Sequence, residues 1–430
     1  MKSSIAATGG WLLMLSVLLS LIAQITGYFS GYWAGVPIWL VVMLFVPYVK
    51  PAQRKQIILL MFVGSMGLLY GVYSGLDERY LLKTLDANQN VVAMIVGVGF
   101  LRIFAVNSVK TGETLPKGKS ALIRTLFGAH LFGSVLNISS VMIVGDKLAT
   151  QGKLTTTQGL VLLRGFSACA FWSPFFASMG LALVSAPGAE LGTLVSFGIP
   201  ICLVALALSC WQIIHRDDAD SLFGYPVTLY SLWMPALLAV MVITAHKFYP
   251  HISVLSLVTL TSLCFIALWL LFTKGYHAIV VARSHIESGI ANSSGEVVLF
   301  AAAAMLASGV AASLDAMNIQ LAPEHFGPQE AGVTIAVLIV LAMTGMHPVT
   351  SVVLAGSVLA PSMADPNMLG LTLLMGWSLG ITVSPFSGVQ LSIQSRYDIG
   401  AKDLLKANWR YIATMYLICC SVLWLYSSQL

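Results

Sequence analysis

Long apolar runs, each about the length of a membrane-crossing helix, recur along the chain between short polar segments. A spanning helix needs about 20 mainly apolar residues. Eleven stretches qualify, near 9–30, 33–49, 57–75, 91–109, 158–187, 191–214, 227–246, 252–272, 297–314, 367–393 and 409–427. Two more, near 121–150 and 331–363, have a polar or helix-breaking centre. Gly133-Ser134 and Asn137-Ile138-Ser139-Ser140 interrupt the first, and Thr344 to Ser351 interrupt the second. There Pro348 lacks an N–H and disfavours a helical residue before it. Both stretches are expected to be re-entrant hairpins that return to the side they entered.

Composition fixes the class. Only 9% of the 430 residues are charged and 58% are hydrophobic, against about 25% charged in a globular chain. A water-facing fold could not hide so much apolar surface. The sequence therefore predicts an all-α polytopic membrane protein with about 11 transmembrane helices and two hairpins.

Charge sets the expected orientation. With the N-terminus cytoplasmic, the cytoplasmic segments hold 17 of the 22 basic residues, including Lys2, Lys110, Lys117, Lys119, Arg124, Lys147, Arg396, Lys402, Lys406 and Arg410. The external segments hold only Arg79, Lys83 and Lys247 against eight acids. This is the positive-inside bias, and it would be lost beyond either hairpin if that hairpin crossed the membrane. It predicts a bacterial inner-membrane protein with a periplasmic C-terminus. The first helix is expected to be retained, since a lone Lys2 and a long apolar run suit a signal peptide poorly. The six cysteines read as small buried hydrophobes. Stretches 278–290 and 396–407 look amphipathic and are expected to lie along the cytoplasmic surface.

The chain repeats itself at an offset of 211 residues. Residues 159–175, GLVLLRGFSACAFWSPF, match 370–386, GLTLLMGWSLGITVSPF, at nine of 17 positions without a gap. The same offset pairs Ser140 with Ser351 and Gly145 with Gly356. Five spans separate the copies, so they face opposite ways across the membrane. An inverted-topology repeat suits a secondary transporter, because two opposed halves can exchange roles in alternating access.

Irregular backbone at membrane depth survives only against protein or a water-filled cavity. Each long span after a hairpin carries a Ser-Pro-Phe, at 173–175 and 384–386. Four broken helices would thus meet near the midplane, their N-termini suited to an anion and their carbonyls and hydroxyls to Na⁺. The candidate substrate contacts are Asn137, Ser139, Ser140, Ser173, Pro174, His347, Thr350, Ser351, Ser384, Pro385 and Ser387. The candidate ion-coupling residues are Asn137, Ser167, Thr344, Gly345, Thr382 and Gly388. His347 could bind an anion, carry a proton or simply bond a loop carbonyl. Arg102 and Arg164 could snorkel to the interface or face the interior as buried charges. Asp146 reads as an interfacial acid.

An intramembrane enzyme would need a catalytic set at depth, but no two acids face each other within the spans and no His-x-x-x-His occurs. No catalytic residue, metal site, resident cofactor or nucleic-acid partner is expected. A channel is the remaining class.

These hairpins, the broken spans, Glu296-Val-Val-Leu-Phe and the link SRYDIGAKDLLKANW at 395–409 resemble the ion transporter superfamily, and within it the divalent-anion:sodium symporter and citrate-transporter-like group. The family's Ser-Asn-Thr signature is missing from both tips. The resemblance implies a homodimer in which a scaffold holds a transport domain that moves as an elevator. Scaffold helices would then be 1–120 and 215–330, and transport halves 121–214 and 331–430. It implies a di- or tricarboxylate as substrate, with Na⁺ or H⁺ as coupling ion. A different cargo on the same fold, an amphiphile, a lipid-linked metabolite or an oxyanion, is the alternative.

Overall fold

The computed structural model describes residues 3–108, 114–226 and 233–429. Residues 227–232 of the span expected near 227–246, and Lys2 and Lys110 of the expected cytoplasmic segments, lie outside them. Within them the chain is helical, without a β-strand. In chain order the helices are α1 Ser3–Thr26, α2 Gly35–Phe45, α3 Pro51–Tyr73, α4 Arg79–Asp86, α5 Gln89–Gly99, α6 Leu101–Ser108, α7 Lys119–Leu136, α8 Ile138–Ala149, α9 Thr156–Ala168 and α10 Ala177–Ser185. They continue as α11 Leu191–Ile214, α12 Trp233–Phe248, α13 Val254–Lys274, α14 Ala278–Ser284, α15 Ser294–Ala316, α16 Pro328–Met343, α17 Pro348–Leu359, α18 Pro366–Val383, α19 Gly388–Tyr397 and α20 Ala401–Ser427.

Among the described residues, nine helical segments are long and apolar enough to cross a bilayer. The chain is an integral membrane protein. Two of the eleven expected spans fall short of that length. Residues 156–185 are broken into α9 and α10, and only 16 residues of α12 are described as helix.

The chain divides into two compact units. One comprises Met1–Ala105, Leu238–Ala322 and Val353–Pro361; the other comprises Val106–Leu237, Pro323–Val352 and Ser362–Leu430. In the first unit, α3 and α15 approach until a Cβ on Gly64 or Gly67 would meet the backbone of Met305 or Gly309. Small residues allow such contact between helices that have no hydrophobic drive to associate in lipid. Arg79 and the Tyr80 hydroxyl (2.9 Å) both donate to Asp315 at the end of this pair. The segment 278–290 exposes Ile279 and Val280 at its start and buries its end. Its His285–Gly289 turn packs on α1, where Ile286 O closes on Gly10. Arg102 is half-buried on α6.

The repeat is visible in the helices. Helices α7–α11 recur as α16–α20, with starting residues 209 to 211 apart, and all but Val353–Leu359 of α17 belong to the second unit. Thr155 and Gln158 form a capping box that starts α9, and the Asp365 carboxylate accepts from the Asn367 and Met368 N–H groups to start α18. Such caps satisfy amide groups that would otherwise lack partners. Helix α7 packs on α9 as α16 packs on α18, and α11 on α18 as α20 on α9. At the crossing of α9 and α18, Ser378 Oγ donates to Ser167 O at 2.8 Å. These residues are repeat mates, 211 apart. Contact between a residue and its own mate is what a two-fold axis through that point produces.

Candidate functional site

The interruptions of the second unit fall at equivalent places in its two halves. Helix α9 tightens into a turn over Cys169–Phe171, and the chain is non-helical until Ala177 opens α10. Helix α18 ends at Val383, and Gly388, 211 residues after Ala177, opens α19. Proline explains both stops, since Pro174 and Pro385 cannot donate to the preceding turn. A side chain spans each break to satisfy an equivalent freed carbonyl. Ser178 Oγ donates to Ala170 O at 2.8 Å, and Ser387 Oγ donates to Ile381 O, 211 positions on, at 3.0 Å.

Each hairpin tip is tied to the break of its own half. Asn137 stands between α7 and α8 at φ 52° and its Nδ2 donates to Phe175 O at 3.1 Å. Ser173 Oγ donates to Ser134 O and accepts from the Phe175 N–H at 3.2 Å. In the other half, Ser384 Oγ reaches Met346 O at 3.5 Å. Gly345 holds φ 102°, with the Phe386 ring where a Cβ would go. The tips are shorter than expected. Helix α7 runs through Gly133-Ser134, where Ser134 Oγ turns back to Leu131 O. Ser139 and Ser140 lie in the first turn of α8, and Val349, Thr350 and Ser351 in that of α17, so only Asn137 and the segment 344–347 are breaks.

The predicted residues differ in what they offer. Ser139, Pro174, His347, Pro385 and Gly388 are half-buried at tips and breaks. His347 Nδ1 accepts from the Val349 N–H at 3.2 Å and so caps α17. Thr350 is fully buried and its hydroxyl has no partner. Ser140, Ser167, Ser351 and Thr382 turn their hydroxyls onto carbonyls three residues back. Thr344 does the same and is exposed.

Several contributors escape sequence reasoning. His130 on α7 reaches across to the first break. Trp172 Nε1 can only donate, so His130 Nε2 accepts from it at 3.3 Å and Nδ1 faces Gly165 O at 3.2 Å as donor. Cys169 Sγ donates to His130 O at 3.0 Å, and Cys202 Sγ lies 3.5 Å from Nε2. Two of the cysteines thus pack on a neutral imidazole, while Cys264 is exposed on α13. Gln390 on α19 donates from Nε2 to Thr382 O at 2.8 Å. Only the repeat could have pointed to Ser378. It lies in Gly376-Trp377-Ser378-Leu379-Gly380, the Gly-x-Ser-x-Gly spacing of a nucleophile elbow. That motif needs a strand–turn–helix; here it is interior to α18 and its hydroxyl bonds a carbonyl.

Arg164 does not snorkel. It is 2% exposed, because its partners lie inward on α20. Nε donates to Asn408 Oδ1 at 2.8 Å, Nη2 to Ala407 O at 3.3 Å, and the guanidinium lies 4.5 Å from the Tyr411 ring centroid. Asp146 on α8 is held by Arg396 at 2.5 and 2.6 Å and by the Tyr397 hydroxyl at 3.0 Å. The stretch 396–407 is accordingly split between the end of α19 and the start of α20.

No family model matches the sequence, and no curated protein matches it. Among solved structures, the crystal structure of the Alcanivorax borkumensis YdaH transporter, described as having an unusual topology, aligns over 95% of this chain and 87% of that one. The identity is 14% and the TM-score 0.43.

Proposed function

We propose that this membrane protein is a secondary transporter of a small organic anion of di- or tricarboxylate type, coupled to Na⁺ or H⁺. The observation that carries the reading is the doubled break: two hairpin tips, each bonded to the interrupted helix of its own half, in a repeat whose mates Ser167 and Ser378 touch. Half-helices α8, α10, α17 and α19 all begin at these breaks. Their N-termini carry partial positive charge, which favours an anion, although the first amides of α17 are already taken by His347. The unpartnered Thr350 hydroxyl is a further polar group available to a ligand. In this reading the hairpins are re-entrant, the second unit is the moving element, and the protein works as a homodimer in the inner membrane.

The test is a thermal-shift screen of organic acids and oxyanions on purified protein, with Na⁺ or choline as cation. A ligand that binds only the folded state raises its stability, so a di- or tricarboxylate is expected to raise the melting temperature. Uptake of that compound into proteoliposomes is expected to be lost in S173A, T350A and S384A while folded protein is recovered. Full uptake by all three would remove the site assignment.

A further inference from the structure

The two breaks differ in charge. The carbonyl end of α18 is answered from three sides: Ser387 Oγ takes Ile381 O, Gln390 Nε2 takes Thr382 O, and Asn408 Nδ2 reaches the same Thr382 O at 3.4 Å. Behind Asn408 stands Arg164, its Nε on Asn408 Oδ1. Among the described residues no carboxylate lies within ion-pair distance of this buried guanidinium. A buried charge needs compensation, and the last carbonyls of an interrupted helix carry partial negative charge. Asn408 links the two, its amide accepting from the cation with oxygen and donating to the carbonyl with nitrogen.

The first break has no equivalent. The repeat mate of Arg164 is Met375, and the α11 positions 210 and 211 residues before Asn408 are Gly198 and Phe197. The carbonyl end there is met by neutral groups only: Ser178 Oγ on Ala170 O, and backbone N–H groups of Trp172 and Ser173 on Cys169 O.

We infer that Arg164 is the resident cation of the second break. It stands, through Asn408, where a soluble ion would otherwise neutralise the end of α18, and so confines any soluble coupling cation to the first break. Arg164 is thus a positioning residue that sets the ion requirement. The inference rests on the transport reading, but its test reads stability alone and can fail while that reading stands.

The experiment measures thermal unfolding of purified full-length protein in choline chloride. R164M, which installs the residue of the first half, is expected to melt below wild type, and R164K to keep most of the loss from occurring. Low-millimolar guanidinium is expected to restore much of the R164M melting temperature, and its neutral isostere urea to restore none. Recovery of folded R164K but not of folded R164M would equally support the inference. It is overturned if R164M matches wild type, if urea rescues as well as guanidinium, if neither rescues, or if R164K is as damaged as R164M or neither variant folds. The last two results would assign the site to guanidinium shape, not charge.

Discussion

Asn137 combines two properties that substitution can separate. Its backbone stands at φ 52° and ψ −142°, where a β-carbon is disfavoured, and its amide ties the tip to Phe175 O at 3.1 Å. N137G removes the amide but suits the backbone. It forfeits the bond and leaves the carbonyl of buried Phe175 without its donor, a loss of about 1–3 kcal/mol, and it relieves a strain of about 1–3 kcal/mol that the wild-type β-carbon bears at this backbone conformation. N137A makes the same loss without the relief, so it should fall about 1–3 kcal/mol below wild type and about 1–3 kcal/mol below N137G. Denaturant titration of purified protein, followed by tryptophan fluorescence, reads both gaps directly. N137A equal to or more stable than N137G would refute the backbone argument, and N137A equal to wild type would refute the amide tie.

Two further outcomes follow from packing and charge. Helix α11 passes the first break at Gly198, where a Cβ would collide with Phe171 O. G198L should cost about 1–3 kcal/mol or more and show as reduced yield of folded protein in detergent, whereas G192L on the open face of the same helix should not. The Asp146–Arg396 pair is roughly half exposed, with side chains at 43% and 52%. D146N should therefore lower the melting free energy by no more than about 1 kcal/mol; a larger loss in thermal unfolding would mark the pair as a structural lock.

The repeat was legible because Ser-Pro-Phe and Leu-Leu-x-Gly-x-Ser recur in register, and proline stops a helix wherever it stands. The helix starts then follow the same offset, down to Ala177 and Gly388. Gly133-Ser134 misled because glycine and serine weaken a helix only on average. Here Gly133 sits against Cys169 and Ser134 bonds inside its own turn, so tertiary packing keeps α7 helical. Arg164 was open to two readings because the choice between interface and interior depends on Asn408, 244 residues away. His130 was invisible for the same reason, since its partners Gly165, Trp172 and Cys202 are brought to it only by the fold. Pattern reveals where a helix must stop; it does not reveal which distant amide waits there.

The contact between Ser378 and Ser167 has a consequence for any motion that swaps the two halves. Points on a symmetry axis are invariant under the exchange. As one half adopts the shape the other gives up, the α9–α18 crossing keeps its own shape, and the rearrangement falls on the breaks and tips. The meeting of these repeat mates is thus the part of the second unit with least reason to reshape itself, even when that unit travels as a body.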